Sequence, residues 1–159
     1  MGTLPQLIED DIQHLDAALR ELLKHSDATA ALILDKGGFL IANAGEASQF
    51  DLTTIAALAS GAFAANQTIA GLVQEQNFNS IYQQGETQSI LVMNVDEFCL
   101  LLAIFPASVG VGIVKYYAIG TCARIARQMK LAQDRDPDAG LDLSVLNAAD
   151  TSGFFRRKV

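Results

Sequence analysis

The stretch from Leu52 to Gln74 holds no charged residue at any position, and no other feature restricts the folding of this chain as much. It is an Ala-rich run with Asp51 placed to cap it, and Phe50 and Ile55 stand at the spacing of a hydrophobic staple, so a helix with a defined start is predicted. A helix facing water needs a polar side. This one has none, so something must cover it. Its length suits a bilayer span. However, Thr53, Thr54, Ser60, Asn66, Gln67 and Gln74 are too polar for a lone lipid-facing helix, and the flanks lack Lys/Arg anchors. The other apolar run, Phe98 to Val114, is broken by Pro106 and Gly110. No membrane insertion is expected.

On a wheel of about 100° per residue, Ile55, Leu58, Ala59, Ala62, Ile69 and Val73 share one side, which is expected to face the core. The opposite side is Thr53, Ala57, Ser60, Gly61, Ala64, Thr68 and Gly71: small, uncharged, and open to close approach by another backbone. An N-terminal helix shows what a solvated face looks like in this chain. Between about Leu4 and His25, Leu4, Ile8, Ile12, Leu15, Leu19 and Leu22 form one stripe, and Glu9, Asp10, Gln13, Arg20, Glu21 and Lys24 lie opposite. Thr3 and Gln6 fit a capping box at its start, with Pro5 in the first turn. The bare helix is covered either by a second layer of the same domain or from outside it. The outside cover is favoured, because the other helices have single stripes that a sheet already occupies.

Ala28 to Leu34 and Phe39 to Ala44 read as a hairpin around Asp35-Lys36-Gly37-Gly38. After the uncharged helix, strands are predicted at Phe78 to Gln83, Ser89 to Val95 and Phe98 to Phe105, with turns at Gln84-Gly85-Glu86 and Asp96-Glu97. The last two are almost wholly apolar, as for strands buried on both faces. A third helix, about Val109 to Gln133 with Ser108 as cap, puts Val111, Val114, Ala118, Cys122, Ile125 and Met129 inward and Tyr117, Arg124, Arg127 and Gln128 outward. The order helix-strand-strand-helix-strand-strand-strand-helix predicts an α+β domain over residues 1–133, a five-stranded antiparallel sheet with helices layered on it. From Asp134 a charged Pro/Gly breaker leads into a tail, 134–159, without sustained periodicity.

Chemistry is sparse. Cys99 and Cys122 sit in apolar surroundings without ligand spacing and read as small buried hydrophobes, which fits a reducing, cytoplasmic setting; no signal-peptide pattern opens the chain. Gly37-Gly38 and Gly110-x-Gly112 lack phosphate-loop spacing. His14 and His25 fall on the wet side or end of the first helix. Asp51 reads as a cap, Asp35 and Asp96 as turn residues, and no Ser/His/acid arrangement forms a triad. No catalytic residue, metal site or cofactor is expected. A net charge of -7, with one basic cluster at Arg156-Arg157-Lys158, argues against nucleic acid as a partner.

This layout, with Leu34-Asp35-Lys36-Gly37-Gly38-Phe39-Leu40-Ile41, then Ala44-Gly45, then Asp51 leading into an Ala-rich helix, resembles the roadblock family of dynein light chains and bacterial regulators, with its profilin-like fold. The resemblance covers about Leu4 to Gln133. It implies a homodimer in which the second helix and the third strand pair across a two-fold axis. It also implies a Ras-like small GTPase of the MglA type as partner, stimulated through its own switch residues without an inserted arginine. By this resemblance Ala57, Ser60, Gly61, Ala64, Thr68, Phe78, Ser80 and Tyr82 are the expected interface. A dimeric scaffold or adaptor with no effect on a nucleotide cycle is the alternative.

Overall fold

In a computed structural model, which describes residues 4–135, the elements are α1 (Glu9–Ser26), β1 (Ala30–Asp35), β2 (Leu40–Gly45), α2 (Leu52–Leu72), β3 (Ser80–Gln84), β4 (Gln88–Asn94), β5 (Cys99–Pro106) and α3 (Val111–Asp134). The predicted order holds. One antiparallel sheet runs β2-β1-β5-β4-β3. β1 and β5 are almost wholly buried, which is why their sequences carry side chains suited to a dry environment on both faces.

The helices divide between the two faces of the sheet. α1 and α3 cover one, with Leu15, Leu19, Leu22, Val114, Ile125 and Met129 packed on Ile33, Leu91, Leu101 and Phe105. α2 lies alone on the other, seating Leu52, Ala56 and Phe63 against Leu32, Leu34, Val92, Leu100 and Leu102. Neither α1 nor α3 covers α2. The hairpin turn between β1 and β2 is held by Asp35, whose Oδ1 accepts the Phe39 N–H at 2.9 Å. It comes close to α2 at Gly38, which has φ +98° and where a Cβ would sit 3.3 Å from the Ala57 Cα.

Several boundaries differ from expectation. α1 starts at Glu9, not near Leu4; Thr3 lies outside the described residues. The start is set by Asp11, whose Oδ2 accepts the Ile8 N–H at 2.9 Å, and by three successive acids, Glu9, Asp10 and Asp11, against the positive end of the helix dipole. Leu4, before the helix, and Ile12, within it, are exposed rather than part of the buried stripe. α3 begins at Val111 with Gly110 as cap residue, not at Val109 capped by Ser108. Gln128, expected outward, is buried: its Nε2 donates to Asp11 Oδ1 at 2.7 Å.

That bond belongs to a clamp between the two helices. Arg135 grips the fully buried Asp11 through Nη1 at 2.8 Å and Nη2 at 2.9 Å, the paired geometry in which a guanidinium matches a carboxylate. These Arg135 bonds, helped by the Ile8 amide and Gln128, hold the Asp11 carboxyl far below the usual carboxylate range against the opposing cost of burial. A second pair, Glu21 with Arg124, joins the same helices at their surface. The expected domain end at residue 133 therefore stops just short of a residue that locks the last helix in place.

Candidate interaction surface

Local sequence explains where α2 begins. Asp51 caps it, accepting the Thr54 N–H at 3.2 Å and the Thr54 hydroxyl at 2.7 Å; these Thr54 bonds lower its pKa. The helix ends at Leu72, and two of its polar side chains are spent on its own fold. Ser60 Oγ donates to the Lys36 carbonyl at 2.6 Å. Gln67 holds both backbone groups of Phe78, with Nε2 donating to its carbonyl at 2.9 Å and Oε1 accepting its N–H at 3.2 Å. Phe78 therefore cannot join the sheet ladder, so β3 begins at Ser80 rather than at Phe78.

The orientation of α2 is the main correction to the sequence reading. Leu52, Ala56, Ser60, Phe63 and Ala70 are its buried residues, about a quarter-turn from the predicted core side. Of that predicted side, Leu58 is 69% exposed, Ile69 47% and Val73 61%, and Leu72 beside them reaches 80%. Ala62 is exposed and only Ile55 and Ala59 are half-buried. Small residues sit against the sheet because they let the helix approach closely, while Phe63 fills the remaining depth. Among the described residues α2 is the one helix long and apolar enough to cross a membrane, yet its buried side rests on the sheet.

The exposed surface has two parts. Leu58, Ala62, Ala65, Ile69 and Leu72, preceded by the half-buried Ile55, recur at alternating steps of three and four residues, the spacing of a seam between helices. Beside them lie Ala57, Gly61, Ala64 and Thr68, all exposed as the sequence suggested. A Cβ on Gly61 or Gly71 would meet nothing within 4 Å. Each mid-helix glycine costs about 1 kcal/mol relative to alanine, and the protomer draws no packing advantage from either.

The expected interface residues thus divide. Ala57, Gly61, Ala64 and Thr68 share the open surface, but Ser60 is buried inward and leaves it. Phe78 is half-buried and fastened to Gln67. On β3, Tyr82 stacks on Phe105 at 6.1 Å and so lies on the α1/α3 side of the sheet, with Ser80 in the same alternation. Ile81, which the sequence reading missed, points to the α2 side. β3 itself is an edge strand, paired only with β4, and offers one row of free backbone donors and acceptors. Four members of the apolar stripe, Ile55, Leu58, Ala62 and Ile69, were grouped correctly from the sequence but assigned to the core instead of the open surface.

The cysteines behave as expected. Burial raises the Cys99 thiol pKa strongly, with Asp96 adding to it, and pushes that of Cys122 up to about 12. At neutral pH both are protonated thiols, poor nucleophiles and poor ligands. Among the described residues no group of three or more His, Cys, Asp or Glu is placed to hold a metal ion. Beyond these groups, a cleft of about 460 Å³ opens beside α2. It has Phe63, Phe78 and Leu100 as apolar lining and Lys36, Asp96 and Glu97 among its charged residues.

A bare helix on one face of a five-stranded sheet that ends in a free edge is the arrangement of a roadblock domain, and the family comparison agrees: the Roadblock/LC7 domain model matches residues 15–105, so the chain belongs to that family. Such domains are in general binding modules rather than enzymes. None of the curated proteins compared matches the chain. Among solved structures it is similar to an MglB with a tetrameric arrangement at 27% identity, TM-score 0.77, covering 83% of this chain and 99% of the other. The gliding protein MglB of Thermus thermophilus has 27% identity, TM-score 0.75 and coverage of 82% and 99%. Myxococcus xanthus MglB, at 24% identity and TM-score 0.76 over 82% and 98%, shares the fold. The architecture is thus the roadblock, profilin-like α+β fold, and its MglB-like form.

Proposed function

We propose that this protein is a cytoplasmic homodimeric regulator of a Ras-like small GTPase of the MglA type, which accelerates GTP hydrolysis by repositioning the GTPase's own switch residues, in the control of cell polarity or motility. The observation that carries this reading is the uncharged outer surface of α2 on an MglB-like domain. Its two parts suit two partners. Large apolar side chains such as Leu58, Ile69 and Leu72 are costly to leave in water and call for permanent cover, which a second protomer supplies. The small surface of Ala57, Gly61, Ala64 and Thr68 carries little exposed apolar bulk and can wait uncovered for a partner that comes and goes. β3, with Ile81 on the α2 side, gives the mate an edge to extend.

The test is phosphate release from the GTP-loaded GTPase of the same organism, measured with increasing amounts of this protein. Acceleration that saturates at two protomers per GTPase, or per two GTPases, is expected. Gly61→Lys should abolish it without unfolding the protomer, because a Cβ there meets no atom of the protomer. Binding without acceleration at saturation would overturn the regulatory reading and leave the scaffold.

A further inference from the structure

The cleft beside α2 lies at the end of the sheet from which the C-terminal segment departs. Asp35 pairs with Cys99, so the β1–β2 turn with Lys36 and the β4–β5 turn with Asp96 and Glu97 share one end. α1 leads into the opposite end of β1 and packs beside α3, and the Asp11–Arg135 clamp holds the last described residue near the start of α1. The end of α3 therefore sits at the end of the sheet that carries the cleft. We propose that the Phe154-Phe155-Arg156-Arg157-Lys158 segment of the same chain docks in this cleft, with its phenyl rings on Phe78 and the edge of Phe63 and its cations on Asp96 and Glu97.

Four observations support this occupant. The lining combines an apolar floor with two carboxylates against one ammonium, Lys36, and the segment combines two phenyl rings with the only run of three cations in a chain of net charge -7. Asn94 Oδ1, in the wall of the cleft, is buried with no hydrogen-bond partner among the described residues; a guanidinium supplies the missing donor. Eighteen residues, 136–153, separate Arg135 from Phe154. At no more than about 3.5 Å per residue they can reach up to about 60 Å, enough to pass around the end of a sheet to its other face. The volume of about 460 Å³ is also in the range of pockets that enclose a compact ligand.

Ala64 belongs both to the lining of the cleft and to the small surface of α2. A docked segment would therefore stand beside the GTPase contact and compete with it, a consequence that rests on the function proposed above. The docking itself does not, and the two are tested separately.

A spin label on Val159→Cys in the full chain reads the docking, because both native thiols are buried and protonated. Amide signals of Lys36, Ala64 and residues 94–97 should broaden at least twofold more than those of α1. The broadening should be lost in Glu97→Lys, an exposed position with no hydrogen bond of its own among the described residues, and in the Arg156→Glu/Arg157→Glu variant. Uniform or absent broadening, or broadening centred on Leu58 and Ile69, would overturn the proposal. So would broadening confined to dimers mixed from labelled and isotope-bearing chains, which would assign the segment to the mate. In the second arm, Arg156→Glu/Arg157→Glu should raise GTPase affinity severalfold. If the label reports docking and affinity is unchanged, docking stands and the competition is excluded.

Discussion

The two faces of the sheet differ in what they leave undone. On one, α1 and α3 seal the sheet with apolar stripes, turn charged sides to water, and bury one carboxylate inside a complete set of partners: Arg135, Gln128 and the Ile8 amide. Ile113, Tyr116, Ile119 and Leu131 remain outside on α3, but Lys115, Arg124, Arg127 and Lys130 punctuate that helix. On the other face a single helix without charge covers the sheet and leaves Leu58, Ile69, Leu72 and Val73 in solvent. The first face is finished within the protomer. The second leaves large apolar side chains in solvent, and that contrast is what supports the interaction surface proposed above.

The contrast breaks most decisively if charge on the open face changes nothing. Ile69→Arg places an unpaired cation in the proposed seam and should weaken self-association by about 4 kcal/mol, roughly a thousandfold in Kd. Light scattering should show monomers that retain native circular dichroism; an unchanged dimer would refute the assignment. Next in size is a core truncation on the sealed face. Leu19→Ala should cost about 3 kcal/mol of folding stability in urea titrations. Leu72→Ala on the open face should cost less than about 0.5 kcal/mol in a monomeric background.

Asp11→Ala, which strands Arg135 and Gln128, should cost about 2 kcal/mol. It should also remove an acid dependence. The folded carboxyl titrates below its unfolded value of about 3.9, so its contribution is complete above roughly pH 5 and declines as pH falls through 4 toward the depressed folded value. Urea midpoints at pH 7 and pH 3.5 should therefore converge with those of the variant as the acid is added. A smaller effect than that of Asp11→Ala is expected at the start of α2, where Asp51→Ala removes the Thr54 bonds and should lower the urea midpoint at pH 7 by less than Asp11→Ala does.

Much of this molecule was readable from residue spacing. The hairpin, the Asp51 cap, the element order and the dry central strands follow from local chemistry, because turn residues, capping side chains and runs of apolar residues act within a few positions of themselves. Ala57, Gly61, Ala64 and Thr68 were also legible as an open surface. The buried Asp11 was not, since its partners Gln128 and Arg135 are more than a hundred residues away in the chain. Nor was the inward turn of Ser60 or the capture of Phe78 by Gln67, both of which depend on a neighbour supplied by another element.

The sequence by itself determined that α2 forms, where it starts, and that it lacks a face made for water. Only the tertiary structure decided which side meets the sheet. A wheel ranks side chains by hydrophobicity and so assigns the largest to the core, whereas a helix lying on a sheet is seated by how closely its backbone can approach. Ala56, Ser60 and Ala70 permit that approach, and Leu58, Ile69 and Leu72 are turned outward as a consequence.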